Sequence, residues 1–136
     1  MIEPKPTSLI QKIDCLRFYV PDLEAGLAFY RDRLGHTLIW RTEHAVGLGM
    51  PGTDAEIVLQ DEQPGQEIDF MVPSADEAAW QFVEAGGTML TPPFDIQIGQ
   101  AVVVQDPWGN PYVLLDTSHG LLATDENGKV IGNQPG

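Results

Sequence analysis

Hydrophobic residues along the chain follow two different periods, and both occur within residues 13–35. Three of them alternate with polar residues, which predicts a β-strand with one buried face: Leu16, Phe18 and Val20. The apolar spacing then becomes that of an amphipathic helix over about 22–34. Asp22 is a favourable N-cap for this helix, and Gly35 is a favourable stop. The stretch is therefore predicted to fold as a strand and a helix that cover each other.

The same pattern recurs without a gap in residues 68–87. The three apolar strand positions are repeated by Ile68, Phe70 and Val72. Pro73 repeats the turn proline, and Gly87 repeats the glycine stop. Ser74 and Glu77 form a capping box for the second helix. An internal repeat of this kind predicts two related modules.

Each module is predicted to have the element order βαβββ. In the first module, about 12–61, further strands are predicted near 37–42, 44–50 and 56–60. In the second module, about 66–118, they are predicted near 88–91, 100–105 and 112–116, with 92–99 as an irregular connection. We expect a single α+β domain over residues 1–136, in which the two modules pair into one curved, eight-stranded, cup-shaped sheet with a helix outside each half. Residues 119–136 lie outside the repeat, where Asn127 and Gly128 favour a hairpin turn and a disordered tail is the alternative.

Charge and composition narrow the choice of partners. The 136 residues include 20 acidic and 7 basic side chains, a formal net charge of −13. This balance argues against nucleic acid as a partner and is compatible with a cationic ligand. The single cysteine, Cys15, excludes an intramolecular disulfide. Since no apolar run approaches membrane-spanning length and no signal peptide is recognised, a soluble, cytoplasmic protein without a membrane partner is expected.

Two motifs connect the chain to a known family. The segment VPDLEAGLAFYRDRLG in the first module and DPWGNP before the last strand of the second resemble the vicinal oxygen chelate superfamily. This superfamily includes glyoxalase I, extradiol dioxygenases, fosfomycin-modifying enzymes and bleomycin-resistance proteins. The resemblance covers about residues 13–118 and implies the glyoxalase/bleomycin-resistance fold and a homodimer.

The resemblance also allows a test for a metal. Metalloenzymes of the family hold a divalent ion at four cup-facing positions with His, Gln or Glu, and these positions fall on Cys15, Val58, Glu67 and Val113. Only Glu67 keeps a usual ligand. A shift of the alignment by two residues would bring Glu56 or Gln60 to the place of Val58, but Val113 would remain without a ligand atom. The resemblance therefore implies neither a metal nor another cofactor.

Strand alternation predicts which side chains face the cup. One face of the first strand is expected to pack against the helix, so its other face points into the cup. The first strand of the second module is expected to present the equivalent face to the cup. Seven candidate ligand-binding residues follow: Cys15, Arg17, Tyr19, Trp40, Gln60, Glu67 and Asp69. Arg17 is expected to pair with Glu67 or Asp69, either to fix the sheet or to orient a ligand.

Three functions are compatible with this pattern. The first is a metal-free small-molecule-binding protein similar to bleomycin-resistance proteins, with a cationic or aromatic ligand in the cup. The second is a divergent glyoxalase-like, metal-dependent lyase or isomerase. The third is a metal-free acid–base enzyme that uses Glu67 or Asp69. The sequence favours the first and leaves both the ligand and the question of catalysis open.

Overall fold

The fold consists of two modules and a C-terminal hairpin, seen in a computed structural model that describes residues 8–135. The first module contains β1 (Lys12–Tyr19), α1 (Leu23–Leu27, continued as a π-helix over Ala28–Arg33), β2 (Leu38–Arg41), β3 (Ala45–Met50) and β4 (Thr53–Gln60). The second contains β5 (Gln66–Met71), α2 (Ala75–Glu84), β6 (Thr88–Met89), β7 (Phe94–Ile96), β8 (Gly99–Gln105) and β9 (Pro111–Leu115). The hairpin is β10 (Leu121–Thr124) and β11 (Val130–Gln134).

The two modules form one mixed sheet. Its strand order is β2-β3-β4-β1-β5-β9-β8-β6, and β7 adds to β8. Apart from β7, each module contributes four strands in the same order, and the modules meet where β1 pairs with β5 in antiparallel orientation. The prediction of two paired βαβββ modules is therefore confirmed. The sheet has nine strands instead of eight, because the segment predicted as an irregular connection contains the short strand β7.

The register at the centre of the sheet explains the sequence repeat. Leu16 of β1 pairs directly with Ile68 of β5, and these two residues are equivalent in the repeat. An approximate two-fold axis therefore passes between them. On either side of it, Cys15 pairs with Asp69 and Arg17 pairs with Glu67. The axis thus brings the cup-facing residues of the two modules together.

The two helices end differently, which corrects the ungapped alignment of the repeat. Gly35 has a φ of 86°, as its role as a stop requires, but in the second module the left-handed residue is Gly86, with a φ of 112°, and not Gly87. The amide of Leu34 donates to the carbonyl of Phe29, five residues earlier, as expected in a π-turn. This wider turn gives the first helix one extra residue before its glycine.

The helices cover the outer face of the sheet. Leu27 of α1 packs into a fully buried cluster with Leu48 and Leu59, on the module-one half. On the other half, Ala75 and Ala79 of α2 lie against a cluster that includes Val72, Val102, Val104 and Leu114. The opposite, concave face is thereby left free for a ligand. Neither helix among the described residues is long and apolar enough to span a lipid bilayer.

The C-terminal hairpin crosses the open side of the cup, and residues 120–134 are called the strap below. At one end, the amide of Arg41 in β2 donates to the carbonyl of Gly128 at 2.7 Å. At the other end, the side-chain amide of Asn133 donates to the carbonyl of Gln97, beside β7, also at 2.7 Å. Because β2 and β7 lie at opposite ends of the sheet, the strap joins the two rims of the cup.

Candidate ligand-binding cup

The concave face of the sheet and the strap enclose an open cavity of about 1150 Å³. One wall is apolar and is formed mainly by β4, β8 and β9, with Val58, Val103, Val113 and Leu115. Leu121 and Leu122 of the strap extend this wall over the mouth. A cavity with a broad apolar wall and a few convergent polar groups is typical of a small-molecule site.

The polar part of the cup is strongly acidic. Six carboxyl side chains are among its lining residues: Asp14, Asp54, Glu56, Glu62, Glu67 and Asp69. Among the described residues, the lining contains one cationic side chain, that of Arg17. From outside the cup, Lys12 reaches Asp54 at 2.7 Å, in an exposed ion pair. The charge of the cup is therefore negative even after these pairings.

A bulge in β1 places two neighbouring residues on the same face. The register between β1 and β5 shifts between Ile13 and Cys15, and both Asp14 and Cys15 line the cup. Regular alternation would turn Asp14 away, so the sequence analysis missed it. The Cys15 thiol contacts Oδ2 of Asp69 at 3.3 Å. Ligand atoms of Asp14, Cys15 and Asp69 all lie within 4.8 Å of one another.

Asp69 is the most perturbed carboxyl group of the cup. Its side chain is only 5% exposed, and its Oδ1 atom has no hydrogen-bond partner among the described residues. Burial, and then the neighbouring Glu67 carboxylate, raise the pKa of Asp69 to about 8. Burial, followed by the charges of Asp69 and Asp14, also raises the pKa of Cys15. Without a bound cation, Cys15 is therefore a thiol and not an activated nucleophile.

Two further contacts, an ion pair and a hydrogen bond, hold polar side chains of the cup in place. Arg17 lies 3.5 Å from Glu67 across the central strand pair, so one of the two pairings expected from the sequence is formed. The indole N–H of Trp40 donates to Oε1 of Glu56 at 2.7 Å. Burial raises the pKa of Glu56, although this hydrogen bond acts in the opposite direction. The Trp40–Glu56 pair joins an aromatic ring on β2 to a carboxylate on β4, next to Cys15 on β1.

Six of the seven residues expected to bind a ligand line the cup; Tyr19 does not. Tyr19 is an exposed residue at the end of β1. Gln60 is on the cup, but its side chain is bonded to the connection between the modules. Its Oε1 atom accepts from the amides of Glu62 and Gln63, each at 2.8 Å, and its Nε2 atom donates to the carbonyl of Gln63. Gln60 therefore shapes the wall of the cup by holding this connection.

Trp40 is held over a glycine, and this contact gives a prediction. Trp40 and Gly47 are register partners, and a Cβ atom on Gly47 would overlap the indole ring. Gly47→Ala is therefore expected to lower the free energy of unfolding by about 1–3 kcal/mol, the usual cost of overpacking. Urea unfolding would measure it. Gly52→Ala is the matched control, since a Cβ there meets no atom within 4 Å. Equal stability of the two variants would contradict this packing.

Comparison with known proteins identifies the family. A model of the family described as the Glyoxalase/Bleomycin resistance protein/Dioxygenase superfamily matches residues 12–114. The chain belongs to this superfamily. The match spans most of both modules and confirms the resemblance drawn from their motifs. Among curated proteins, a sequence comparison found no match.

Solved structures of this superfamily fold are similar to the chain. Methylmalonyl-CoA epimerase from Mycobacterium tuberculosis has 18% identity and a TM-score of 0.70, over 85% of this chain and 93% of that chain. A hypothetical protein from Bacillus halodurans has 19% identity and a TM-score of 0.68, over 84% of this chain and 98% of that chain. Homoprotocatechuate 2,3-dioxygenase from Brevibacterium fuscum has 26% identity and a TM-score of 0.59, over 84% of this chain and 40% of that chain. These similarities support the fold.

The four positions at which superfamily metalloenzymes hold an ion do not fit a metal here. Val58 and Val113 are buried on the cup and offer no ligand atom. Val58 pairs with Arg17 and Val113 with Asp69, which are equivalent places of the repeat. The register therefore supports Val58, and not Glu56 or Gln60, as the occupant of the family position. A site built on those four positions would have at most two ligands.

Proposed function

We propose that this superfamily member binds a small cationic molecule with an apolar body in its cup. The observation that carries the proposal is the charge of the lining, in which six carboxyl groups face one guanidinium. The guanidinium lies near Glu67, and Lys12 reaches Asp54 from outside the cup. Among residues 8–135, no other cationic side chain forms an ion pair with a carboxyl group of the lining. A bound cation would supply such a partner.

Burial of the carboxyl groups strengthens the preference of the cup for a cationic ligand. It raises the pKa values of Asp14, Glu56 and Asp69, which means that their negative charges are poorly solvated in the free protein. A ligand cation would stabilise these charges in a setting with less competition from water. The apolar wall and the indole of Trp40 would bind the rest of the ligand, and an aromatic face also attracts a cation.

A matched set of probes tests the proposal. Biphenyl-4-ylmethylammonium, the corresponding alcohol and biphenyl-4-carboxylate share one apolar body and differ in charge. We expect the ammonium compound to raise the thermal midpoint of unfolding in a concentration-dependent way. Ligand at 100 times its Kd stabilises a folded protein by about 2.7 kcal/mol. Equal shifts with all three compounds, or the largest shift with the carboxylate, would contradict the proposal.

The strap is expected to slow the release of a bound ligand. Asn133→Ala removes its hydrogen bonds to the rim at Gln97. Because the two bonds together contribute about 1–3 kcal/mol, we expect the ammonium probe to dissociate about 5–150 times faster, measured by stopped-flow fluorescence. Asn127→Ala is the control, since the Asn127 side chain makes no hydrogen bond among the described residues. An unchanged dissociation rate in Asn133→Ala would show that the strap does not retain the ligand.

The pKa of Asp69 favours a second candidate function, metal-free acid–base catalysis. A carboxyl group with a pKa of about 8 can take up or release a proton near neutral pH. Since the chain is similar in fold to an epimerase, the reaction to assay is exchange of a carbon-bound proton next to a thioester carbonyl with deuterium from solvent. Exchange that is lost in Asp69→Asn would support catalysis. The homodimer and the cytoplasmic location stay predictions.

A further inference from the structure

We propose that Asp14, Cys15 and Asp69 bind one divalent metal ion of the zinc type at the floor of the cup. Their ligand atoms lie within 4.8 Å of one another, one thiol and two carboxylates. The metal site shares Asp14 and Asp69 with the lining that would bind the cationic small molecule, so the two proposals are tested separately.

The geometry of the three groups is close to that of a metal site. In tetrahedral coordination by zinc, a sulfur and an oxygen ligand are about 3.6 Å apart, as the usual bond lengths require. The Cys15 sulfur and Oδ2 of Asp69 are already 3.3 Å apart. The bulge in β1 turns Asp14 to the same side, where it supplies the third ligand. A small side-chain adjustment therefore suffices to enclose an ion.

A second observation points to a missing ligand at this place. Asp69 is 5% exposed and lines the cup, yet its Oδ1 atom meets no hydrogen-bond donor among the described residues. Buried carboxylate oxygens are normally bonded, so an orphan of this kind requires an explanation. The nearby Arg17 lies against Glu67 instead, at 3.5 Å. In the metal-free protein Asp69 shares a proton with the neighbouring Glu67 carboxylate, and a metal ion would take the place of that proton.

The ligand chemistry selects the ion. A thiolate excludes the hard ions Mg²⁺ and Ca²⁺, which prefer oxygen ligands, and suits Zn²⁺ or the larger Cd²⁺. Three protein ligands leave a fourth position open to water or to a ligand in the cup. On binding, the thiol loses its proton to solvent and the sulfur–metal bond replaces the sulfur–hydrogen bond.

This site differs from the one used by superfamily metalloenzymes. Two of those four positions are Val58 and Val113 here, and of the three proposed ligands only Cys15 occupies a family position. Asp14 faces the cup because of the bulge, and Asp69 belongs to the partner strand. No metal was expected from the sequence, because regular strand alternation turns Asp14 away from the cup.

Titration with Cd²⁺ tests the proposal directly. Cadmium bound to a thiolate has an ultraviolet charge-transfer band, and Zn²⁺ should displace it in competition. We expect this band to saturate at one equivalent and to be absent in Cys15→Ser. Asp14→Asn and Asp69→Asn should each weaken cadmium binding by at least about 100-fold, since even groups that only support metal ligands contribute 10–100-fold. Glu62→Gln, which changes another acidic residue of the lining, should bind cadmium normally.

Two outcomes would overturn the proposal. One is the absence of a cadmium–thiolate band when Cd²⁺ is added to the folded wild-type protein. This would mean that the three groups bind protons but no metal ion. The other is a band whose midpoint is the same in wild type, Asp14→Asn and Asp69→Asn, which would show a lone cysteine binding metal. Circular dichroism would confirm that each variant is folded. Binding of the biphenyl ammonium probe, measured in chelator on the same samples, separates failure of this site from failure of the proposed function.

Discussion

Asp69→Asn is expected to raise the free energy of unfolding by about 2–4 kcal/mol near pH 9, and to change it least near pH 4, where the unfolded chain also keeps much of its proton. The carboxyl group has a pKa of about 3.9 in the unfolded chain and of about 8 in the folded one. Between these values the unfolded state has lost the proton and the folded state keeps it. Stability therefore falls as the pH rises through this window, and above it the folded protein contains a buried charge.

Asparagine avoids that charge and fits the same contacts. Its carbonyl can accept from the Cys15 thiol, and its amide can donate toward Glu67. The measurement is urea unfolding of wild type and variant at several pH values, with chelator present to exclude metal binding. Asp95→Asn removes an exposed carboxyl group and serves as the control. If the difference between Asp69→Asn and wild type is the same at all pH values, Asp69 does not hold its proton as described.

Glu56→Gln is expected to weaken binding of biphenyl-4-ylmethylammonium by about 10–100-fold. A hydrogen bond to a charged group contributes about 1.5–3 kcal/mol, and each 1.4 kcal/mol is a factor of ten in affinity. The glutamine oxygen can still accept from the Trp40 indole, so the shape of the rim is kept. The change therefore removes a charge from a half-buried position without removing the side chain.

A matched variant separates local charge from total charge. The Glu43 side chain is 88% exposed and is not part of the cup lining, and Glu43→Gln changes the net charge by the same amount. Isothermal titration calorimetry of both variants is the measurement. We expect Glu43→Gln to bind the probe almost as wild type does, because exposed distant charges are screened by salt. Equal losses in both variants would mean that the probe responds to net charge and not to the cup.

The architecture could be predicted because it depends on regular periods. Alternating residues such as Phe18 and helical residues such as Leu27 each have one buried face, and the repeat in the sequence then fixes how the modules pair. The register of Leu16 with Ile68 follows from the same repeat. These features need only the local pattern and its recurrence.

The missed features are departures from regular periods. A bulge turns Asp14 into the cup, and a π-turn precedes Gly35. Each shifts the chain by one residue, and such a shift cannot be predicted from the spacing of hydrophobic residues. The placement of the strap depends on contacts between Asn133 and Gln97 that are 36 residues apart in the chain. Gln60 looked like a free polar group, because its bonds to the connection between the modules form only in the folded structure.

Selection of a cation by the cup can be measured with two ligands that differ only in charge. Isothermal titration calorimetry of the wild-type protein, in chelator and near neutral pH, would give the affinities of biphenyl-4-ylmethylammonium and of the neutral alcohol. We expect one saturable site with at least about tenfold preference for the ammonium compound, equivalent to 1.4 kcal/mol. Equal affinities, or a preference for the alcohol, would contradict it.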